Sequence, residues 1–148
     1  MIIEHYSEAY KADVICLIQK FHVQFLVGYD KDLNHGNVEK TILEFTGEKA
    51  KNAFLLIDGT KCVGLIAGIE LKSYINDSRI FSEIFWYVDE PYGMFAGWFI
   101  REVEMLLKEQ GFAVIVMAVL NSPKAEKIKR MYEVCGYRHL ETHYIKNL

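Results

Sequence analysis

From Glu83 to Gly111 the chain reads EIFWYVDEPYGMFAGWFIREVEMLLKEQG, and this stretch decides the fold. Its first residues are aromatic and β-branched up to Val88, as in a central strand. Pro91, Gly93 and Gly97 then punctuate a short turn. From Ala96 onward Phe99, Ile100, Val103, Leu106 and Leu107 recur at helical spacing, and Gly111 stands just beyond the predicted helix end. A strand that feeds a helix through a glycine turn aims unpaired backbone N–H groups and the positive end of the helix dipole at one point. The amides of Gly93, Met94, Phe95, Ala96 and Gly97 are the candidates, and a pyrophosphate is a suitable occupant. The competing reading is a strand-to-helix turn that holds nothing.

Working outward, Phe112 to Leu120 is an unbroken apolar run of strand length, expected to be covered on both faces. Strand, helix and strand then make a crossover unit, which should be right-handed. Ser122-Pro123 predicts a helix start, with Ser122 as cap, and Ile128, Met131, Tyr132 and Cys135 form its buried stripe before Gly136. A last strand is expected over roughly Leu140 to Ile145. Upstream, Ala53 to Ile57, the turn Asp58-Gly59 and Cys62 to Leu71 read as a hairpin, followed by a strand over Ile80 to Val88. Ile2 to Tyr6 is a short strand. Ser7 then caps a helix whose stripe is Val14, Leu17, Ile18, Phe21 and Phe25, and a polar lip over Gly28 to Asn37 leads to a shorter helix through Val38, Ile42, Leu43 and Phe45, ending near Gly47.

These elements predict one α/β (α+β) domain over residues 1–148: a mixed, mostly antiparallel sheet flanked by about four helices, with splayed central strands. The 148 residues, 51% of them hydrophobic, suffice for a core without metal or disulfide. A net charge of −3 argues against nucleic acid as a partner. Cys16, Cys62 and Cys135 lie far apart in an odd count, which fits a reducing cytoplasm. No apolar run is long enough for a bilayer, and the first residues lack the pattern of a signal peptide. The five histidines show no metal-ligand spacing, so no metal is expected. Oligomeric state stays open, a homodimer among the alternatives.

The segment Y-V-D-E-P-Y-G-M-F-A-G followed by W-F-I-R-E-V-E-M-L-L-K-E-Q-G resembles the acetyl-CoA-binding segment of the GNAT N-acetyltransferase superfamily. The resemblance runs in element order from Phe54 to the C-terminus. It departs from the family pattern where Tyr92 replaces an Arg or Gln and Phe95 a central Gly, so the pyrophosphate loop is a degenerate one. What it implies is a GNAT domain that takes acetyl-CoA as cosubstrate in a cleft near Trp86 to Val88 and Met117 to Leu120. Tyr87, Val88, the loop residues Gly93 to Gly97 and Asn121 would contact acetyl-CoA, with the backbone of Ala118 to Leu120 as an alternative to Asn121.

Two residues are candidates for proton transfer to and from the reacting groups. Glu83 is a carboxylate in an apolar strand, where desolvation should raise its pKa toward that of a general base; a rim glutamate facing water is the other reading. Tyr132-Glu133-Val134-Cys135-Gly136-Tyr137 resembles the family's Tyr-x-x-x-Gly-Phe signature, which implies that Tyr132 protonates the CoA thiolate. Its helical spacing equally suits packing. The function implied is transfer of an acetyl group to a primary amine of a small molecule or protein, and the net acidity favours a cationic amine or basic peptide. The alternatives are a non-catalytic GNAT-like module that holds CoA or a protein, and an acyltransferase for longer acyl chains.

Overall fold

Residues 54–57 are completely buried, although a strand has only two faces to cover. The reason is a sheet sandwiched between two helical layers, so that alternate residues of one strand enter different cores. The computed structural model describes residues 1–26, 35–44 and 52–146. The strands are β1 (Ile2–His5), β2 (Ala53–Asp58), β3 (Lys61–Lys72), β4 (Arg79–Val88) and β5 (Val114–Val116). They lie in chain order in one sheet. β1 to β4 pair antiparallel in succession, and β5 joins β4 in parallel. The helices are α1 (Lys11–Phe21), α2 (His35–Leu43), α3 (Ala96–Glu109) and α4 (Ala125–Val134). This is the mixed, mostly antiparallel α/β sheet that the sequence predicts.

Leu55 and Ile57 of β2, with Leu65 and Ala67 of β3, face a core closed by Val14 and Leu17 of α1 and Ile42 of α2. Phe54 and Leu56, with Val63 and Ile66, face the opposite core, closed by Phe99, Ile100, Val103 and Leu107 of α3 and by Tyr132 of α4. Each large side chain buried in this way contributes roughly 1.5–3 kcal/mol of apolar transfer. At the β2–β3 turn Gly59 adopts a left-handed φ of 61°, and Gly111 ends α3 at φ 85°, both conformations that an L side chain resists.

One irregularity of the sheet places the site. Gly68 faces Glu83 and Ala67 faces Phe85, so β4 spends one extra residue, Ile84, against β3. Such a bulge reverses the facing of everything beyond it. Phe81 points into the α3 core, yet two and four residues beyond Glu83 it is Phe85 and Tyr87 that join the α1 core, while Trp86 and Val88 return to the α3 side. Gly68 permits the bulge: a Cβ there would sit 2.5 Å from the Phe81 ring and 2.6 Å from the Ser82 carbonyl oxygen.

Three expectations are corrected. The Phe112 to Leu120 run supplies only the three-residue β5, and Val114 is exposed; past Val116 the chain leaves β4, with Met117 and Val119 against the α3 core and Ala118 and Leu120 on the cleft. Residues 140–145 form no strand, and Leu140, Tyr144 and Ile145 are exposed. Ser122 does not cap α4, which begins at Ala125 after a turn in which the Ala125 N–H donates to the Ser122 carbonyl at 3.0 Å. The expected lip lies outside the described residues up to residue 34, Asp30 and Asp32 included, as do Phe45 and Gly47.

Candidate active site

β4 and β5 pair only at Ile80–Val114, Phe81–Ile115 and Ser82–Val116. Beyond those pairs they splay, and a cleft of about 850 Å3 opens between the end of β4 and residues 118–122. Because the opening passes between two strands, it has a wall on each side of the sheet. Gly93, Met94, Ala96 and Gly97, with Lys124, Lys127, Ile128 and Met131 of the α4 region, line one side. Phe21, Gln24, Phe25 and Leu26 line the other, and Glu83 lies between them with Ile84, Trp86, Tyr87 and Val88.

Ala118 organises the centre. Its N–H donates to Glu83 Oε2 at 3.1 Å, and its carbonyl accepts from the Tyr132 hydroxyl at 3.1 Å. Desolvation pushes the Glu83 carboxyl up to about 7, against the opposing pull of the Ala118 N–H. Burial, and then the nearby Glu83 charge, push the Tyr132 phenol well above its ordinary value, so it keeps its proton at neutral pH. Glu83 opens on the cleft, whereas Tyr132 is buried behind the Ala118 peptide and belongs to the α3 core.

The glycine loop is a 3-10 helix, Glu90–Phe95, running directly into α3. Asp89 opens it by accepting from the Glu90 N–H at 3.2 Å. The Tyr92 N–H donates to the Asp89 carbonyl and the Ala96 N–H to that of Gly93, so the turn itself takes up part of the amide supply. Tyr92 is directed away, its hydroxyl donating to Asp58 Oδ2 at 3.0 Å, and the Phe95 side chain packs on the α3 core. Gly93 and Gly97 have room above them: a Cβ on Gly93 would meet nothing within 4 Å, and one on Gly97 only Met131 Cγ at 3.8 Å. Neither glycine is required by the protein's own packing, and the space above the loop is open. Asn121 is exposed and does not line the cleft, while its neighbours Leu120 and Ser122 do.

Several cleft residues had no sequence signal pointing to a site. The Ser122 hydroxyl is buried against the cleft with no hydrogen-bond partner among the described residues, which suits a ligand contact. Lys124 pairs with Glu90 at 2.6 Å, and Glu90 also accepts from Gln24 at 3.0 Å. Phe21 and Phe25 read as core because their spacing is helical. Both do pack against the α1 core, and the wide π turn His22–Leu26 that continues α1 also sets Phe25 and Leu26 beside Phe21 on the cleft. Among the described residues there is no group of three or more His, Cys, Asp or Glu able to hold a metal, and no helix long and apolar enough to cross a membrane.

Solved structures share this architecture over almost their whole length. An aminoglycoside acetyltransferase from an uncultured soil metagenomic sample superposes with a TM-score of 0.74 at 17% identity, over 99% of this chain and 97% of its own. A GNAT family acetyltransferase of Staphylococcus aureus gives 0.65 at 16%, over 99% and 98%. AAC(6')-Iy, in complex with the bisubstrate analogue CoA-S-monomethyl-acetylneamine, gives 0.71 at 11%, over 99% and 97%. No family model and no curated protein matches the sequence. The chain therefore has the fold of the GNAT acetyltransferases. A fold hosts many chemistries, so activity has to be argued from the site.

Proposed function

We propose that the chain is an N-acetyltransferase that moves the acetyl group of acetyl-CoA to a primary amine. One observation carries this reading: a carboxyl poised near neutral pH and a protonated phenol are held by the two polar groups of one residue, Ala118, beside a cleft between splayed strands. The AAC(6')-Iy complex, of the same fold, holds a CoA bisubstrate analogue, which supports the choice of cosubstrate. In the reaction, Glu83 takes a proton from the ammonium, directly or through a water, and the freed nitrogen attacks the thioester carbonyl carbon. A backbone N–H near Val88 stabilises the oxyanion, the carbon–sulfur bond breaks, and the thiolate takes a proton from Tyr132, whose hydroxyl must first turn from the Ala118 carbonyl toward the cleft. The loop amides, the Ser122 hydroxyl and the Lys127 ammonium hold the phosphate-bearing end. We place the protein in the cytoplasm on its widely spaced, unpaired cysteines.

The test is thiol release from acetyl-CoA on addition of amines, combined with a thermal shift by acetyl-CoA and by free CoA. A shift without thiol release would favour the second reading, a CoA-binding module without transfer. The observation on that side is the 3-10 loop, whose Ala96 amide is already spent on Gly93.

A further inference from the structure

The two walls of the cleft differ in chemistry. The α4 side carries Lys124, paired with Glu90, and Lys127, whose ammonium suits a phosphate group. On the α1 side Phe21 stacks at 5.3 Å on Phe25, 4.6 Å on Phe85 and 6.3 Å on Tyr87, all tilted or edge-on. Leu26 and the exposed Ile84 extend this apolar surface. Beside the Tyr87 hydroxyl, its described polar side chain is Gln24, which is engaged by Glu90. The described carboxylates of the cleft are Glu83 and Glu90, and Glu90 is neutralised by Lys124. Among the described residues that leaves Glu83 to face a cationic nitrogen.

On the transfer reading above, we propose that the acceptor is a monocationic primary amine carried on an aromatic or similarly bulky apolar body, an arylalkylamine, seated against Phe21, Phe25, Leu26 and Ile84 with its nitrogen toward Glu83. A polycation such as an aminoglycoside would bring ammonium groups against phenyl and aliphatic surface, where desolvation is unrecovered. An aromatic body gains both area burial and ring contacts. The Ile84 bulge is integral to this arrangement, because it presents the Ile84 side chain and the Glu83 carboxyl to the same cleft.

Calorimetric titration of the whole protein saturated with CoA, using phenethylamine, ethylamine and neamine in turn, tests the assignment. Phenethylamine should bind at least about thirtyfold more tightly than either of the others. Phe25→Ala should weaken it at least about tenfold, and Phe25→Leu should retain most of the affinity. Equal or tighter binding of neamine or ethylamine, no binding of phenethylamine, or no effect of Phe25→Ala overturns the proposal. Phenethylamine binding with that selectivity but without thiol release from acetyl-CoA upholds the apolar amine site and counts against the transfer reading alone.

Discussion

Glu83 and Tyr132 lie on different elements, one on β4 and the other on α4, and meet at the backbone of Ala118, where one accepts from its N–H and the other donates to its carbonyl oxygen, each at 3.1 Å. The residue between them belongs to the segment that leaves the sheet after β5. Splaying the strands therefore opens the cleft and also frees the Ala118 peptide from sheet pairing, so that it can fix both side chains.

The first consequence is a pH profile. With its carboxyl pushed up to about 7, Glu83 is an available base only above that pH, so kcat/KM should fall about tenfold per pH unit below it. Glu83→Gln should remove this limb and lower kcat roughly 100- to 10,000-fold. Stability moves oppositely. The folded state holds the proton between about 4.5 and about 7, where the unfolded chain has released it, so folding weakens as pH rises through that window, by up to about 3 kcal/mol. Thermal melts of wild type and Glu83→Gln should converge at pH 4 and separate by pH 8, with the Gln variant the more stable.

Tyr132→Phe removes one buried hydrogen bond and leaves the Ala118 carbonyl without its donor, at a cost of about 1 kcal/mol, or a Tm lower by roughly 2–4 °C. If Tyr132 also protonates the thiolate, kcat should fall by one to two orders of magnitude while the Kd for acetyl-CoA changes little. A lowered Tm with unchanged kcat would assign the residue to packing alone.

Gly93→Ala and Gly97→Ala separate ligand room from protein need. Neither added methyl clashes with the protein, and in the first turn of α3 alanine is favoured over glycine by up to about 1 kcal/mol. The Gly97 variant should thus melt at the same or a higher temperature. Both variants should bind acetyl-CoA about tenfold less tightly, measured by calorimetry, because the methyl occupies the space above the loop.

Gly68→Ala should do the reverse. The added methyl would overlap the Phe81 ring and the Ser82 backbone, and the strand pair must shift to admit it. Loss of at least about 2 kcal/mol in chemical denaturation is expected. The bulge that aims Glu83 depends on the same contact, so activity should fall further than the lost stability explains. Unaltered activity in a folded Gly68→Ala protein would show that the bulge does not set the Glu83 geometry.

Much of the order was legible without coordinates. The β2–β3 hairpin, β4, α3 and Gly111 beyond its end follow from turn chemistry and from stripes that repeat with the period of their element. Glu83 could be singled out because an ionisable side chain in an apolar strand conflicts with its surroundings, and such conflict is visible locally. The errors fell on the C-terminal third. A continuous apolar run reads alike whether it lies inside a sheet or divides between a core and a cleft, as Met117 and Val119 on one side and Ala118 and Leu120 on the other do. An apolar tail becomes a strand only where it pairs, as residues 140–145 do not. Phe21 and Phe25 do pack against the α1 core as their spacing predicts, but their second place on the cleft was not legible, because the π turn leaves no mark in the spacing.

Periodicity, turn residues and a misplaced carboxylate were thus enough to give most of the elements, their order and one candidate base, since each is a property of neighbours along the chain. Which faces meet was decided by tertiary packing. The Ile84 bulge against Gly68, the splay of β4 from β5, the Ala118 peptide shared by Glu83 and Tyr132, and the apolar wall opposite the lysines all join residues distant in sequence. Their geometry depends on which backbone groups and side-chain volumes remain unmatched once the sheet and both cores have closed.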